Sequence, residues 1–237
     1  MKRAVLMSIQ PRWCEKILRG EKTVEVRKTR PTLMQTPFKV YVYCTKPRFE
    51  HEDFFALVGK QGFYGGGKVI GEFVCGRIDR LVQIGYTGAQ ERPKYRIVDD
   101  WQKVHDISRL LEAACLTEEE LETYLKGKTG FGWHISDLKI YSQPVDITNF
   151  HSCLGCEYVG DCDTYCWDPV QIPPQSWRYV EENEGVGLMQ MNRLEHDLKA
   201  EAMLEVCLRC EGCSEPSCCV KLAEWIVKKK EELRGQT

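Results

Sequence analysis

The chain has 237 residues, and its content of 43% apolar and 10% aromatic residues excludes a wholly disordered protein. No run approaches the roughly 18 consecutive apolar residues of a membrane helix, and the short apolar run near Met1 is too brief for a secretion signal, so a cytoplasmic protein without a membrane partner is expected. The net charge is -2, but the charged residues are unevenly distributed: residues 1–100 have 19 Lys and Arg against 11 Asp and Glu, and the remainder has 14 Lys and Arg against 24 Asp and Glu.

A first helix and four strands are predicted from the clearest patterns within the first 84 residues. Pro11 suits the first turn of a helix, and Gly20 can end that helix in a left-handed conformation. Alternating apolar and polar residues from Thr23 to Lys28 predict a half-buried strand. Runs rich in β-branched and aromatic residues predict three further strands, at residues 38–44, 68–75 and 77–84.

The next segments predict connectors, a helix and a closing strand. Residues 50–67 predict a short helix and a glycine-rich loop, which matches no phosphate-binding spacing and is interpreted as a connector. A capping box at Thr117–Glu120 begins a helix that runs to Gly127, and residues 133–141 return to strand character. Short strands and few helices, without regular βαβ alternation, predict an α+β fold: a small barrel with flanking helices over residues 1–150.

The rest of the chain is dominated by cysteine. We predict a cysteine-rich loop and Pro-containing connector at residues 151–180 and a mainly helical tail at 181–237. In a reducing compartment, clustered cysteines favour a metal site over disulfides, which stay open as an alternative. A structural zinc is favoured, and an iron–sulfur cluster also fits the spacing. The predicted ligands are Cys153, Cys156, Cys162 and Cys166 in the first group, and Cys207, Cys210, Cys213 and Cys218 in the second.

The tail also offers a surface for a protein partner. Apolar residues at helical spacing, such as Leu188, Met191, Leu194 and Leu198, would form an amphipathic face. Packing of this face onto the barrel explains the same spacing. A protein-interaction module is therefore a third functional hypothesis, beside a binding module for nucleic acid and an enzyme.

The segment from Gly20 to Arg27 (GEKTVEVR) concentrates charge where a helix ends and a strand begins. Lys22, Glu25 and Arg27 can form an internal ion-pair network, or they can line a cleft that binds phosphate. The charge pattern alone favours the network. Strict alternation would place Lys22 on the opposite strand face from Glu25, so we expect the turn after Gly20 to break the phase.

Three blocks of sequence follow one another in order: Leu6–Pro11 with Gly20-x-Lys22-x-x-Glu25-x-Arg27, then Gly71–Phe73, then Trp133–Leu138 followed by Pro144. Together they resemble the ASCH family, phage or bacterial type, whose domains have a barrel similar to the PUA RNA-binding fold. Pro173–Trp177 resembles a tail of some relatives. The resemblance implies that RNA or a modified nucleotide binds in a cleft beneath the motif. The excess of positive charge in residues 1–100 suits an anionic ligand. Together with the resemblance, it favours an RNA- or nucleotide-binding module. The predicted nucleic-acid-binding residues are Arg27, Lys28, Arg30, Trp133, His134 and Ser136.

Some family members are hydrolases, which supplies the alternative function. Short bacterial members remove the acetyl group of N4-acetylcytidine with a Lys, a Thr nucleophile and a Glu; Lys22, Glu25 and Glu72 stand at those positions here. Because Glu25 replaces the Thr, the resemblance implies a different mechanism, in which a carboxylate positions water and Lys22 stabilises an oxyanion. A ribonuclease-like activity is implied by another branch, whose residues cannot be mapped onto this chain.

The closing strand contributes the last candidates. Trp133 and His134 could stack on a base, and His134 could titrate near neutral pH. An aromatic residue that fills the barrel, beside a histidine with satisfied hydrogen bonds, explains the same pair and is slightly favoured.

Overall fold

The structure is a computed structural model, which describes residues 3–58, 61–85, 94–153, 167–182 and 190–191. Most of the predicted tail, and every predicted cysteine ligand except the backbone of Cys153, lies outside these residues. Within the described part of the chain, no helix is long and apolar enough to cross a membrane.

Strands dominate the described residues, with only three α-helices. The helices are α1 Pro11–Leu18, α2 Ser108–Ala114 and α3 Glu118–Leu125. The strands are β1 Arg3–Ile9, β2 Val24–Arg27, β3 Phe38–Cys44, β4 Phe55–Val58, β5 Gln61–Tyr64, β6 Lys68–Ile84, β7 Lys94–Val98, β8 Val104–His105, β9 Gly130–Val145, β10 His151–Cys153, β11 Trp167–Pro169, β12 Trp177–Glu181 and β13 Gln190–Met191.

Local signals account for the helix boundaries. Pro11 is at the first position of α1, and Gly20 follows the helix with a φ of 71°. At α3 the Thr117 hydroxyl accepts from the backbone N–H of Glu120, and the Glu120 carboxylate accepts from the backbone N–H of Thr117. The predicted capping box is confirmed, and α3 ends one residue before left-handed Lys126.

Two long antiparallel strands, β6 and β9, form the middle of a nine-stranded sheet. One edge of β6 pairs with β3, which is followed by β1 and β12; farther along, the same edge pairs with β7, which in turn pairs with β8. The other edge of β9 pairs with β2 and β13. The two short hairpins β4–β5 and β10–β11 are separate sheets.

The predicted closed barrel is wrong, because this sheet is open. Among the described residues β2 pairs only with β9, and β12 pairs only with β1. A physical reason lies in the segment after β2: it contains Pro31 and Pro37, which have no N–H to donate to a ladder. The mostly-sheet architecture with few helices remains.

Other predicted elements differ in detail. Residues 68–75 and 77–84, predicted as two strands, form the single strand β6, whose ladder with β9 shifts register between Cys75 and Ile78. The helix predicted after Glu50 is a single 3-10 turn, and the hairpin β4–β5 replaces the connector. Gln190–Met191, predicted within a tail helix, pairs with β9. β12, from the predicted connector and tail, adds a strand beside β1.

The core has three apolar clusters that follow the two faces of this sheet. The first contains Trp133 and Phe73 and is covered by Cys14 and Ile17 of α1. The second, on the opposite face of β3, contains Tyr41 together with apolar residues of the chain after β9, such as Phe150. The third packs α2 and α3 against β2 and the far end of β6.

Candidate functional site

Lys22, Glu25 and Arg27 form a buried ion-pair network at the start of β2. Lys22 Nζ lies 3.2 Å from Glu25 Oε2, and Arg27 Nη2 lies 2.9 Å from Glu25 Oε1. The three side chains are only 2%, 8% and 9% exposed. Lys22 reaches Glu25 because it precedes β2, in the turn where its backbone N–H donates to Lys16, and therefore does not follow the strand's alternation.

Two further contacts fix the cations of this network. Lys22 Nζ donates to the carbonyl of Ala114 at 2.7 Å, at the end of α2, where helix carbonyls lack partners within the helix. Arg27 Nη2 donates to the carbonyl of Ser8 at 2.6 Å. One carboxylate thus serves two cations, and the network keeps one excess positive charge in a poorly solvated position.

Cation–aromatic pairs surround the network, and we call them the basic–aromatic rim. The pairs are Arg12 over Trp13 at 4.6 Å, Lys28 over Tyr124 at 4.9 Å and Arg30 over Phe131 at 5.6 Å. The Arg12, Lys28 and Arg30 side chains belong to exposed residues, and Tyr124 is 38% exposed. Exposed cations beside partly exposed rings can contact phosphates and bases at the same time.

The rim is continuous with the network. Lys22 Nζ lies 4.7 Å from the Trp13 ring, and Phe131 is directly opposite Arg27 in the β2–β9 ladder. Burial raises the pKa of Tyr124, with Arg27 opposing this shift and Glu25 adding to it, so the phenol is close enough to sense both charges. The rim and the network therefore form one basic site.

Glu72, the third predicted catalytic residue, belongs to a different network. Its carboxylate accepts from the Tyr141 hydroxyl at 2.8 Å and lies 3.5 Å from Lys39 Nζ and 3.9 Å from Lys139 Nζ. Burial and the Glu72 charge raise the pKa of Tyr141 well above its usual range. Glu72 is opposite Tyr41, in the second cluster, whereas Glu25 is opposite Trp133, in the first.

No described contact therefore joins Glu72 to Lys22 or Glu25. A mechanism that uses all three groups on one substrate has no support from this arrangement. The hydrolase alternative stays a prediction from the sequence resemblance.

The predicted residues of β9 have different environments. Trp133 is fully buried, with its ring edge-on to Phe38 at 5.7 Å, so it fills the core. His134 is 30% exposed, and its Nε2 lies 2.8 Å from Asp79 and 3.0 Å from Arg77. The hydroxyl of exposed Ser136 donates to a backbone carbonyl of β6. None of these three has a described contact with the rim cations.

The described residues contain no group of three or more His, Cys, Asp or Glu placed to hold a metal ion. Cys14, Cys44, Cys75 and Cys115 are free thiols. Burial raises the pKa of Cys75 to about 12, so this thiol stays protonated at neutral pH. The metal sites predicted from the two cysteine groups fall outside the described residues.

Four residues of the rim were not predicted from the sequence: Arg12, Trp13, Tyr124 and Phe131. Arg12 and Trp13 are adjacent near the start of α1, a pairing typical of a nucleic-acid surface that could have been noticed. Tyr124 and Phe131 carry no such signal, because only the packing of α3 and β9 around β2 brings them to Lys28 and Arg30.

No model of a protein family matches the chain, and no curated protein does. The chain is similar to the crystal structure of ASCH from Zymomonas mobilis, with 17% identity, coverage of 76% of this chain and 88% of that chain, and a TM-score of 0.43. It is also similar to two single-substitution variants of that protein, at 16% and 15% identity. These comparisons cover 76% and 84% of this chain and 92% and 95% of theirs, each with a TM-score of 0.41. These structural neighbours are ASCH domain structures, the family that the sequence motifs resemble.

Proposed function

We propose that the chain is a binding module for single-stranded RNA or a nucleotide, and that the ligand binds at the basic–aromatic rim. The observation that carries this proposal is the continuity of three exposed cation–aromatic pairs with a buried network that holds one excess positive charge. Phosphates would contact Arg12, Lys28 and Arg30. Bases would stack on the adjoining rings, as in single-strand binding proteins.

The buried network suits a binding role better than a catalytic one. Lys22 Nζ and Arg27 Nη2 each contact both the Glu25 carboxylate and a backbone carbonyl, so these two nitrogens are engaged within the protein. These contacts fix the geometry of β2 and the position of the buried positive charge, while the exposed cations of the rim remain accessible. The network thus positions Lys28 and Arg30, the residues that follow it in sequence.

The test is fluorescence anisotropy of a labelled oligouridylate titrated with the full chain across a range of salt concentrations. Each phosphate contact on a single strand contributes about -0.7 to the slope of log K against log salt. Three contacts predict a slope of about -2, and Arg30→Ala should reduce its magnitude by about 0.7. Lys68→Ala is the matched control, because the substitution removes one positive charge, as Arg30→Ala does, but Lys68 pairs with Asp146 and does not belong to the rim.

The rings are tested in the same assay. Tyr124→Ala should weaken binding by about 1–3 kcal/mol, the usual contribution of one stacked base. Trp101→Ala controls for loss of an exposed ring, since Trp101 is 82% exposed in the turn between β7 and β8. Binding that is insensitive to salt, or equal in Arg30→Ala and Lys68→Ala, would remove the proposal.

For the cysteine groups we propose a structural zinc, with an iron–sulfur cluster as the alternative. Four thiolates match tetrahedral zinc and would stabilise a segment that has little apolar content of its own. Elemental analysis and an absorption spectrum of anaerobically purified protein test this. Bound zinc without absorption near roughly 400 nm supports the structural site, brown colour indicates iron–sulfur, and absence of both metals removes it.

A further inference from the structure

The open edge of the sheet is joined by side chains alone. Trp177 Nε1 of β12 donates to the Thr29 hydroxyl at 2.9 Å, and the Tyr179 hydroxyl accepts from the backbone N–H groups of Thr32 and Leu33 at 2.7 and 3.0 Å. With the bond from Arg27 to Ser8, these contacts form what we call the β2–β12 seam. In the described ranges, no backbone–backbone hydrogen bond joins residues 24–37 to residues 3–9 or 167–182.

In the β2–β9 ladder, two buried donors without acceptors lie beside this seam. Arg27 Nε and Trp133 Nε1 are inaccessible to solvent and have no hydrogen-bond partner among the described residues. Trp133 borders the seam, because its ring centroid lies 5.7 Å from that of Trp177. Unpaired N–H groups at such depth carry their desolvation penalty without compensation, so each one requires an explanation.

The two donors are on one face of the same ladder. Glu25 is opposite Trp133 and Arg27 is opposite Phe131, which makes Arg27 and Trp133 diagonal neighbours. Diagonal neighbours in a ladder are about 7–8 Å apart, with their Cβ atoms somewhat closer, which is within reach of long side chains. Both groups donate only, so their common complement is an acceptor that carries no hydrogen, such as a carbonyl or phosphate oxygen.

We propose that the β2–β12 seam opens to form a subsite for an acceptor oxygen of an unpaired nucleotide, bound by Arg27 Nε and Trp133 Nε1. The oxygen belongs either to a base carbonyl or to a phosphate. Opening breaks only side-chain hydrogen bonds, so the sheet ladders stay intact. This inference rests on the proposed function and adds to it the atoms that recognise the ligand.

The direct test is the indole N–H signal of Trp133 in the 15N-labelled full chain, titrated with oligouridylate, uridine and ribose 5-phosphate. We expect the Trp133 signal to shift and to become protected from hydrogen exchange. The arm that reproduces the shift, uridine or ribose 5-phosphate, identifies the base or the phosphate as the source. The indole of Trp177 should instead lose its bond to Thr29 and exchange faster, because the seam opens.

Variants separate this inference from the proposed function. Trp133→Phe removes the indole donor and keeps an aromatic ring, and Arg27→Lys keeps the positive charge and removes Nε. Each variant should weaken oligouridylate binding about tenfold. Trp177→Phe loses a donor that is already paired with Thr29, so it should not weaken oligouridylate binding. Because Trp133→Phe alters the core, its fold is checked by circular dichroism, and Arg27→Lys and the wild-type indole spectrum do not depend on it. Wild-type RNA binding that leaves the Trp133 indole unmoved overturns the subsite and leaves the binding function standing. Absence of RNA binding by the wild type overturns both.

Discussion

Replacement of Glu25 by Gln is the sharpest perturbation of the buried network. Glu25 is the only described carboxylate in contact with Lys22 and Arg27, at 3.2 and 2.9 Å. In Glu25→Gln the charges of Lys22 and Arg27 lose their counter-charge, although both side chains are less than a tenth exposed to solvent. Breaking a buried pair from one side costs about 3–5 kcal/mol, because the remaining charge is uncompensated.

The size of this loss is measurable by calorimetry. A change of 1 kcal/mol shifts the melting temperature by about 2–4 °C in a chain of this length, so Glu25→Gln should lower it by about 6–20 °C. Glu15→Gln is the matched control: Glu15 pairs with Arg19 on the surface of α1, with the side chains 46% and 41% exposed. An exposed pair contributes at most about 1 kcal/mol, so this variant should melt within about 4 °C of the wild type.

A second substitution tests the cause. Lys22→Met added to Glu25→Gln removes one of the two stranded cations and leaves an apolar side chain against the Trp13 ring. The double variant should therefore be more stable than Glu25→Gln alone, which a double-mutant cycle detects as a coupling energy. Equal melting temperatures for Glu25→Gln and Glu15→Gln would refute the reasoning that Glu25 neutralises a buried pair of cations.

Two further predictions concern β6. Gly71→Ala should destabilise the protein by about 1–3 kcal/mol in denaturant unfolding, because the added Cβ would lie 2.4 Å from the Lys139 carbonyl oxygen. Gly76→Ala is the control and should be neutral, because no atom lies within 4 Å of the added Cβ. Equal losses of stability in the two variants would contradict the close approach of β6 and β9. Burial tends to raise the pKa of Asp79, but the hydrogen bond from His134 and the nearby positive charges hold it below the usual value. Asp79 therefore stabilises the fold above its unfolded pKa of about 3.9, and this contribution is lost as the pH falls through the lower folded pKa. Asp79→Asn should flatten the pH dependence of the unfolding free energy below about pH 4, and an unchanged profile would count against the Asp79–His134 pair.

The candidate site was partly predictable. The motif from Gly20 to Arg27 identified Lys22, Glu25 and Arg27 as one charged unit, and the expectation that the turn after Gly20 breaks the strand phase is confirmed by the Lys22–Glu25 contact. Glu72 was grouped with them because of its position in a family motif. Its contacts with Tyr141 and Lys39 depend on the face of β6 that carries it, which register shifts in the β6–β9 ladder help to set.

What the sequence determined by itself are the elements with local causes. Pro11 and Gly20 mark α1, the Thr117–Glu120 box begins α3, and a run rich in β-branched and aromatic residues marks β3, because each signal acts within a few residues of the backbone that it shapes. The open edge and the assembly of the rim were decided only by the tertiary structure. They depend on which strands meet and in what register, and those long-range pairings sum many weak contacts that no short segment encodes.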